Sequence, residues 1–199
     1  EDIPTLTPVG ITRWKGEEWI TQRALDTANF TVEKDALTLC GNGLDLCDRK
    51  MQGLLLVRQQ ERAFTAETAL EIPAAGTAGL TCYYDEHSYL KFGIGPEGLL
   101  LEEYAGYEVV SRQTAPLPAS TSHVRLRVTA ADGQRHFVIQ DRTDWHTLWS
   151  IPEPRYLTSE GLQCGKRFTG AMVGLYVHGA SAVRFADWVA VWPHPEEKR

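Results

Sequence analysis

The feature that most constrains this chain is an alternation of apolar and polar residues with a period of two. In the segment 123–130 valine and leucine alternate with arginine and threonine, and similar alternation recurs at 63–72, 89–94 and 171–178. Successive side chains of a β-strand point to opposite faces, so this pattern is typical of strands with one buried and one wet face. Helical periodicity is almost absent, which predicts an all-β chain.

Turn sequences separate the alternating segments. Asp132-Gly133 fits a tight hairpin turn that needs positive φ, and the glycine-containing segments 41–43 and 95–98 predict loops. The predicted strands are 30–32, 37–40, 54–58, 63–72, 79–84, 89–94, 99–104, 107–112, 123–130, 135–140, 171–178 and 182–192. Many short strands separated by such turns imply an antiparallel two-sheet β-sandwich of the jelly-roll type. No linker or repeat interrupts them, so we expect residues 1–199 to form one domain with a frayed tail at 193–199.

Charge and hydropathy argue against two classes of partner. Twenty Lys and Arg against 26 Asp and Glu give a net charge of −6, whereas nucleic-acid binding needs clustered cations. The sequence contains no run of about 18 apolar residues, which is the length that would predict a membrane span. The chain starts without the basic, apolar and small-residue succession of a signal peptide. We therefore expect a cytoplasmic protein, although a secreted protein that had lost its leader would have the same sequence.

The four cysteines are irregularly spaced and form no C-x-x-C motif. Zinc sites are usually built from two close pairs of ligands, and none of the six histidines pairs with another at a suitable spacing. We predict that the cysteines are reduced core residues.

The sequence contains no recognisable catalytic motif. Glycoside hydrolysis needs two carboxyl groups roughly 5 to 10 Å apart. Glu102 and Glu103 are neighbours on a predicted strand and point to opposite faces, while Glu33 and Asp35 lie in a predicted turn. There is no Gly-x-Ser-x-Gly elbow and no phosphate-binding loop that leads into a helix. We therefore assign no catalytic residue.

Asp187 is a candidate metal ligand. By alternation it shares a face with Phe185 and Val189, and a carboxylate among apolar neighbours is costly unless it is paired, hydrogen-bonded or bound to a cation. We favour a paired or backbone-bonded aspartate near a strand bend, with a structural calcium ligand as the alternative. No cofactor is required.

Aromatic residues are the candidates for a sugar-binding face, because aromatic rings stack on the C–H faces of sugars. The sequence has six tryptophans and seven tyrosines, and any single one is more readily explained as a core residue. The candidate substrate-binding residues are Trp19, Tyr83, Tyr89 and Trp145.

Several segments, taken in order along the chain, resemble a known domain. They include Glu18–Arg23, Leu56–Gln60, Phe64–Thr68, Ala78–Asp85, Val124–Val128, Asp144-Trp145, Phe168–Tyr176 and Ala186–Trp188. The set is similar to the C-terminal domain of glycoside hydrolase family 43 β-xylosidases and α-L-arabinofuranosidases. In that family the domain is a concanavalin A-like β-sandwich that follows a five-bladed catalytic propeller.

The resemblance implies a non-catalytic accessory domain of a hemicellulose-degrading enzyme, which stabilises or rims the pocket of a catalytic propeller absent from this chain. The implied partners are that propeller and xylo- or arabino-oligosaccharides. In the family, a loop between the strands that match 64–72 and 78–84 offers an aromatic side chain to the pocket. Here the connection is only Pro73–Thr77, with no aromatic residue. The alternatives are a stand-alone carbohydrate-binding module and a complete sandwich-type glycosidase.

Overall fold

The chain forms two antiparallel β-sheets in a computed structural model that describes residues 11–21, 29–117, 122–162, 164 and 170–193. Within these ranges there are fifteen strands: β1 Ile11–Trp14, β2 Glu17–Ile20, β3 Phe30–Val32, β4 Ala36–Cys40, β5 Leu54–Arg58, β6 Phe64–Glu71, β7 Thr77–Asp85, β8 Ser88–Gly95, β9 Gly98–Ala105, β10 Glu108–Ala115, β11 His123–Ala131, β12 Gln134–Asp141, β13 Asp144–Pro152, β14 Met172–His178 and β15 Ala182–Val191. A single turn of 3-10 helix spans Arg155–Leu157. No described helix is long and apolar enough to cross a membrane.

The strand order defines an eight-stranded and a seven-stranded sheet. The first runs β1-β2-β5-β14-β7-β8-β9-β10, and the second runs β13-β12-β11-β6-β15-β4-β3. Their inner faces enclose one apolar core, which includes Leu80 and Phe92 from the first sheet and Leu126 and Phe185 from the second. The predicted antiparallel two-sheet sandwich is confirmed.

The alternation in the sequence corresponds directly to burial in the seven-stranded sheet. Along β6 the residues at even positions are buried and those at odd positions are partly or fully exposed, and β11 has the same pattern. The apolar side chains thus face the core, as period-two patterning requires. The alternation did not predict β1, β2 or β13. The last of these, Asp144–Pro152, mixes aromatic and polar residues and contains a register shift opposite Phe137 and Val138.

The outer face of the eight-stranded sheet is covered rather than wet. Strand β8 is buried at every position, because the segment 41–53 crosses this face. Leu46 and Met51 of that segment pack with Tyr83, Tyr89 and other outward-facing side chains in a second apolar cluster. This cover places the cleft described below beside a packed loop.

Two predictions about the chain as a whole have different outcomes. A single domain over 1–199 with a frayed tail stays a prediction, since 1–10 and 194–199 lie outside the described residues. All four cysteines are free, but only Cys82 is fully buried and Cys47 is exposed. The prediction that all four are core residues was therefore wrong for Cys47, which lies on the covering segment.

Candidate functional site

A row of charged side chains crosses the outer face of the eight-stranded sheet. Lys91 of β8 and Arg112 of β10 are both register partners of Glu102 on β9. Lys91 Nζ lies 2.7 Å from Glu102 Oε1, and Arg112 Nε donates to Glu102 Oε2 at 2.8 Å. The side chains of Lys91 and Glu102 are only 2% exposed, whereas that of Arg112 is 60% exposed. Both oxygens of the buried glutamate are thus bound to cations.

Asp45 joins this row from the covering segment. Lys91 Nζ donates to Asp45 Oδ1 at 3.0 Å and to Oδ2 at 2.8 Å, and His178 Nδ1 lies 3.6 Å from Oδ2. Burial on its own would raise the pKa of Asp45, but Lys91, His178 and the amide of Leu46 hold that pKa below its ordinary value. Asp45 is therefore a carboxylate at neutral pH and anchors the segment 41–53 to the sheet.

The row lines a cleft of about 650 Å³, which we call the sheet cleft. Its rim consists of two tight connections, the β6–β7 connection with Ala74–Thr77 and the β8–β9 turn with Gly95–Gly98. Gly76 has φ +75°, and a Cβ there would collide with the carbonyl oxygen of His178. The backbone of the β6–β7 connection therefore lies against that of His178, and neither of the two rim segments contains an aromatic side chain.

The chemistry of the sheet cleft differs from that of a glycosidase site. Two carboxylates, Asp45 and Glu102, do converge there, as a complete sandwich-type glycosidase would require. However, the ammonium of Lys91 lies within 3 Å of both. A general acid needs a carboxyl pKa raised towards neutrality, and that of Asp45 is lowered. The pair forms an ion network around Lys91, in which Asp45 does not act as a proton donor.

The predicted sugar-binding aromatic residues do not share one surface. Trp19 is completely buried in the core between the sheets, where its ring meets that of Trp188 at 4.6 Å between centroids. Its Nε1 donates to the carbonyl oxygen of Trp14 at 3.0 Å. The structure therefore places Trp19 where it supports packing and offers no face to a ligand.

Tyr83 and Tyr89 lie together on the outer face of the eight-stranded sheet. Their rings are parallel with centroids 6.0 Å apart, and Tyr104 continues the stack at 4.7 Å from Tyr89. Leu46 and Met51 cover the stack, and burial raises the pKa of the Tyr89 phenol far above its ordinary value. These two tyrosines are neighbours, as a binding face would need, but the covering segment hides them.

Trp145 lies on the opposite side of the molecule, on the outer face of the seven-stranded sheet. The guanidinium carbon of Arg127 is 3.6 Å from its ring centroid. Arg127 Nε also donates to Glu67 Oε2 at 2.7 Å. One face of this half-buried ring is thus occupied by a cation.

Asp187 does not lie among apolar side chains, so the face assigned to it by alternation was wrong. A β-bulge places both Asp187 and Trp188 opposite Thr68, and Thr68 Oγ1 donates to the Ala186 carbonyl at 2.9 Å. Trp188 turns into the core and Asp187, with φ +52°, turns to solvent. Among the described residues no group of three or more His, Cys, Asp or Glu side chains could hold a metal ion, and the calcium ligand at Asp187 stays a prediction.

The family of the chain follows from a match over most of its length. Residues 15–189 match the model of the beta-xylosidase C-terminal concanavalin A-like domain. The chain belongs to this family. Its two antiparallel sheets are those of a concanavalin A-like domain, and the resemblance inferred from the sequence is confirmed.

Three of the known proteins similar to this domain are much longer than it is. A beta-xylosidase of Bacillus subtilis (strain 168) is 27% identical over 169 residues, which cover 76% of this chain and 32% of that protein. Among solved structures, the xylan beta-1,4-xylosidase from Bacillus halodurans C-125 has a TM-score of 0.75 at 21% identity, with 87% of this chain and 36% of the other covered. The Bacteroides ovatus xyloglucan PUL GH43B protein has a TM-score of 0.74 at 20% identity, with 90% and 38% covered. The domain spans about a third of the length of these relatives.

Sequence reasoning missed the charged row of this concanavalin A-like domain. Lys91 and Glu102 could have been paired from the hairpin turn, because Gly95 opposite Gly98 places Lys91 opposite Glu102. Asp45 had no such signal, since it reaches Lys91 from a loop 46 residues away in the sequence.

Proposed function

We propose that this domain is a non-catalytic accessory part of a glycoside hydrolase that acts on xylan-type hemicellulose. The observation that carries the proposal is the family match over residues 15–189, in a chain that spans only about a third of xylosidases such as the one from Bacillus subtilis. The remaining two thirds of such an enzyme leave ample length for a separate catalytic domain. The partner of this domain is that catalytic domain.

The sheet cleft supports a role in docking and stability rather than in bond cleavage. Its two carboxylates are paired with Lys91 and Arg112, and the lowered pKa of Asp45 keeps that group ionised rather than available as a proton donor. Arg112 and His178 remain partly exposed at the cleft surface, and each can form hydrogen bonds with a partner. A stable interface buries on the order of 1,000 Å² or more and has an apolar centre. Leu100, which lines the cleft and is partly exposed, provides apolar surface there.

The β6–β7 connection limits what the domain contributes to a substrate pocket. In the family that the sequence resembles, this connection offers an aromatic side chain to the catalytic pocket. Here it is short, and Gly76 holds it against the backbone of His178. We therefore assign the domain a stabilising role and no aromatic contact with substrate.

The direct test is turnover by the domain alone. Expressed by itself, it should fold cooperatively and release no nitrophenol from nitrophenyl xyloside or arabinofuranoside, while the intact protein that contains it should do so. The variants Asp45→Asn and Glu102→Gln separate the alternatives. Turnover by the isolated domain that these substitutions abolished would overturn the proposal in favour of a complete glycosidase.

The structure gives little support to a carbohydrate-binding module that uses the four aromatic candidates. Trp19, Tyr83 and Tyr89 are buried, and Arg127 occupies one face of Trp145. Sugar binding through these rings stays a prediction. A sugar site would need a different part of the surface.

A further inference from the structure

The tight turn between β9 and β10 contains a residue that does not suit its backbone. Ala105 pairs with Glu108, so Gly106 and Tyr107 alone form the turn, with φ of +64° and +74°. A two-residue hairpin turn of this kind needs positive φ at both positions, and glycine is strongly preferred at the second. Here glycine comes first and tyrosine second, where the left-handed backbone is unfavourable for any residue with a Cβ.

Two other hairpin turns of the domain have the usual order. The β1–β2 turn Lys15-Gly16 and the β11–β12 turn Asp132-Gly133 also have positive φ at both positions, and each has glycine second. A bulky residue at the second position is therefore not a requirement of this fold. Strained positions of this kind cluster at functional sites, so the side chain of Tyr107 needs an explanation.

Burial does not provide that explanation. Tyr107 is 63% exposed, which is the largest value among the exposed large apolar side chains of the described residues. The strand that follows adds Val109 and Val110, which are also exposed. Single exposed apolar residues are common on protein surfaces, but three within four positions form a continuous strip. Such a strip is typical of a surface that contacts a ligand or a partner.

Two neighbouring turns hold the Tyr107 ring in place. The ring of His87, in the β7–β8 turn, lies 4.2 Å from that of Tyr107 between centroids. The Gly106 amide donates to the His87 carbonyl at 3.1 Å, and the His87 amide donates to Asp85 Oδ1 at 2.8 Å. The ring is thus positioned from one side, while most of its surface stays open to solvent.

A polar rim lies beside the ring. Glu86 Oε1 is 3.9 Å from His87 Nε2 and accepts a hydrogen bond from Arg49 Nε at 2.9 Å. The Arg49 side chain is 65% exposed, so it can donate to a ligand as well as to Glu86. We call Arg49, Glu86, His87 and Tyr107 the turn platform. It combines an accessible aromatic ring with a fixed donor and acceptor.

The chemistry of the turn platform favours a neutral sugar. Aromatic rings stack on the C–H faces of sugars, and sugar hydroxyls both donate and accept. The charge of Arg49 is balanced by Glu86, and the exposed Glu108 follows Tyr107 directly, so the surroundings repel an anion. A protein partner would need a much larger apolar centre than three side chains provide.

We infer that the turn platform binds a neutral oligosaccharide, with one sugar ring stacked on Tyr107 and hydroxyls bound to Arg49 and Glu86. Only the choice of a xylan-type sugar rests on the proposed function. The platform and the β8–β9 turn, which forms part of the sheet-cleft rim, lie at opposite ends of β9. That strand has eight residues, so roughly 25 Å separate them. The site therefore stays accessible when the domain docks through the sheet cleft.

The test is titration of the folded domain with xylotriose, cellotriose and inorganic phosphate, followed by amide chemical shifts. We expect saturable shifts at Gly106, Tyr107 and His87 with xylotriose and none with phosphate. Tyr107→Gly removes the ring and suits the left-handed backbone, so it should weaken binding about tenfold without lowering the melting temperature. Tyr107→Phe keeps the ring and should keep most of the affinity. Arg49→Met removes an exposed donor and should weaken binding several-fold.

Asp132→Gly is the matched control, because it changes a left-handed residue in a turn of the other sheet and should bind normally. The inference would be overturned if neither trisaccharide shifted these amides, or if Tyr107→Gly and Arg49→Met both kept full affinity. A large fall in the melting temperature of Tyr107→Gly would also overturn it, since the ring would then support the fold. Shifts of the same amides with protein concentration alone would instead assign the strip to contact with a second copy.

The titration also separates this inference from the proposed function. Saturable shifts with cellotriose and none with xylotriose would support the sugar site and count against a xylan-type substrate. None of these outcomes bears on whether the domain cleaves nitrophenyl glycosides.

Discussion

The ammonium of Lys91 lies 2.7 Å from Oε1 of Glu102, with both side chains almost completely buried on the outer face of a β-sheet. Moving such ions out of water costs several kcal/mol each, and the cost is offset only where every charge has partners. Asp45 provides the second partner of Lys91, and Arg112 that of Glu102. The network therefore joins the covering segment 41–53 and the edge strand β10 to the middle of the sheet.

Removal of the ammonium should destabilise the domain strongly. Lys91→Met leaves Asp45 and Glu102 close together without the charge between them, so we expect the free energy of unfolding to fall by about 3 to 5 kcal/mol. Urea denaturation followed by tryptophan fluorescence measures this loss. Arg13→Met is the control, because it breaks an exposed pair with Glu18 and should change little. Equal, small losses in both variants would contradict a buried network.

The network should also make stability depend on pH in the acid range. The pKa of Asp45 is lowered in the folded protein from an ordinary value of 3.8, so the unfolded chain binds the proton more tightly. The stabilisation is complete well above pH 3.8 and is lost as the pH falls through the folded pKa. The difference in the free energy of unfolding between Asp45→Asn and the native protein should therefore be largest near pH 7 and should become smaller towards pH 3.

Urea midpoints measured at intervals between pH 7 and pH 3 test this expectation. Asp35→Asn, which removes the carboxylate of a surface pair with Lys15, controls for the loss of one negative charge. If the stability difference between Asp45→Asn and the native protein grew as the pH fell, the pKa of Asp45 would not be lowered in the folded protein, and the expectation would be contradicted.

The two candidate tryptophans should respond differently to truncation. Trp19→Ala removes a completely buried ring that contacts Trp188, so we expect a loss of about 3 to 5 kcal/mol. Trp145→Ala removes a half-buried ring beneath Arg127, and the loss of that cation–π contact should cost about 1 kcal/mol. Thermal unfolding of both variants measures the contrast. A larger effect at Trp145 would mean that this ring, and not Trp19, supports the core.

Two glycines with similar backbone angles separate conformational strain from collision. Gly16 has φ +81°, and a methyl group added there would meet nothing within 4 Å, whereas a methyl group at Gly76, with φ +75°, would collide with the His178 carbonyl. Gly16→Ala should therefore cost only about 1 to 2 kcal/mol from the left-handed conformation. Gly76→Ala should cost clearly more and should also shift the amide signals of residues around the sheet cleft. Equal melting temperatures for the two variants would contradict the close approach at Gly76.

Local patterns in the sequence predicted most of the strands, and they contain a signal for one pair of the charged row, although that pair was missed. Alternation identified the inward face of β6 and β11, because in a strand neighbouring side chains must point to opposite sides. The β8–β9 turn implies the pairing of Lys91 with Glu102. The same reasoning fails one strand further on. The β9–β10 turn alone would pair Glu102 with Ser111, and a register shift between Val109 and Ser111 brings Arg112 there instead.

A bulge also explains the error at Asp187. One extra residue opposite Thr68 reverses the faces of everything that follows in β15, so Val189 points outwards and Trp188 inwards. Period-two reasoning assumes an uninterrupted strand, and bulges carry little local sequence signal. The calcium hypothesis depended on that assumption.

The sequence by itself determined that this chain is a β-sandwich, which residues of most strands face its core, and which family it resembles, because these depend on neighbours along the chain. Only the tertiary structure decided that Tyr83 and Tyr89 are covered, that Asp45 meets Lys91, and that Arg49 meets Glu86. Each of these depends on segments far apart in sequence, and their meeting is set by how loops cross the finished sheets.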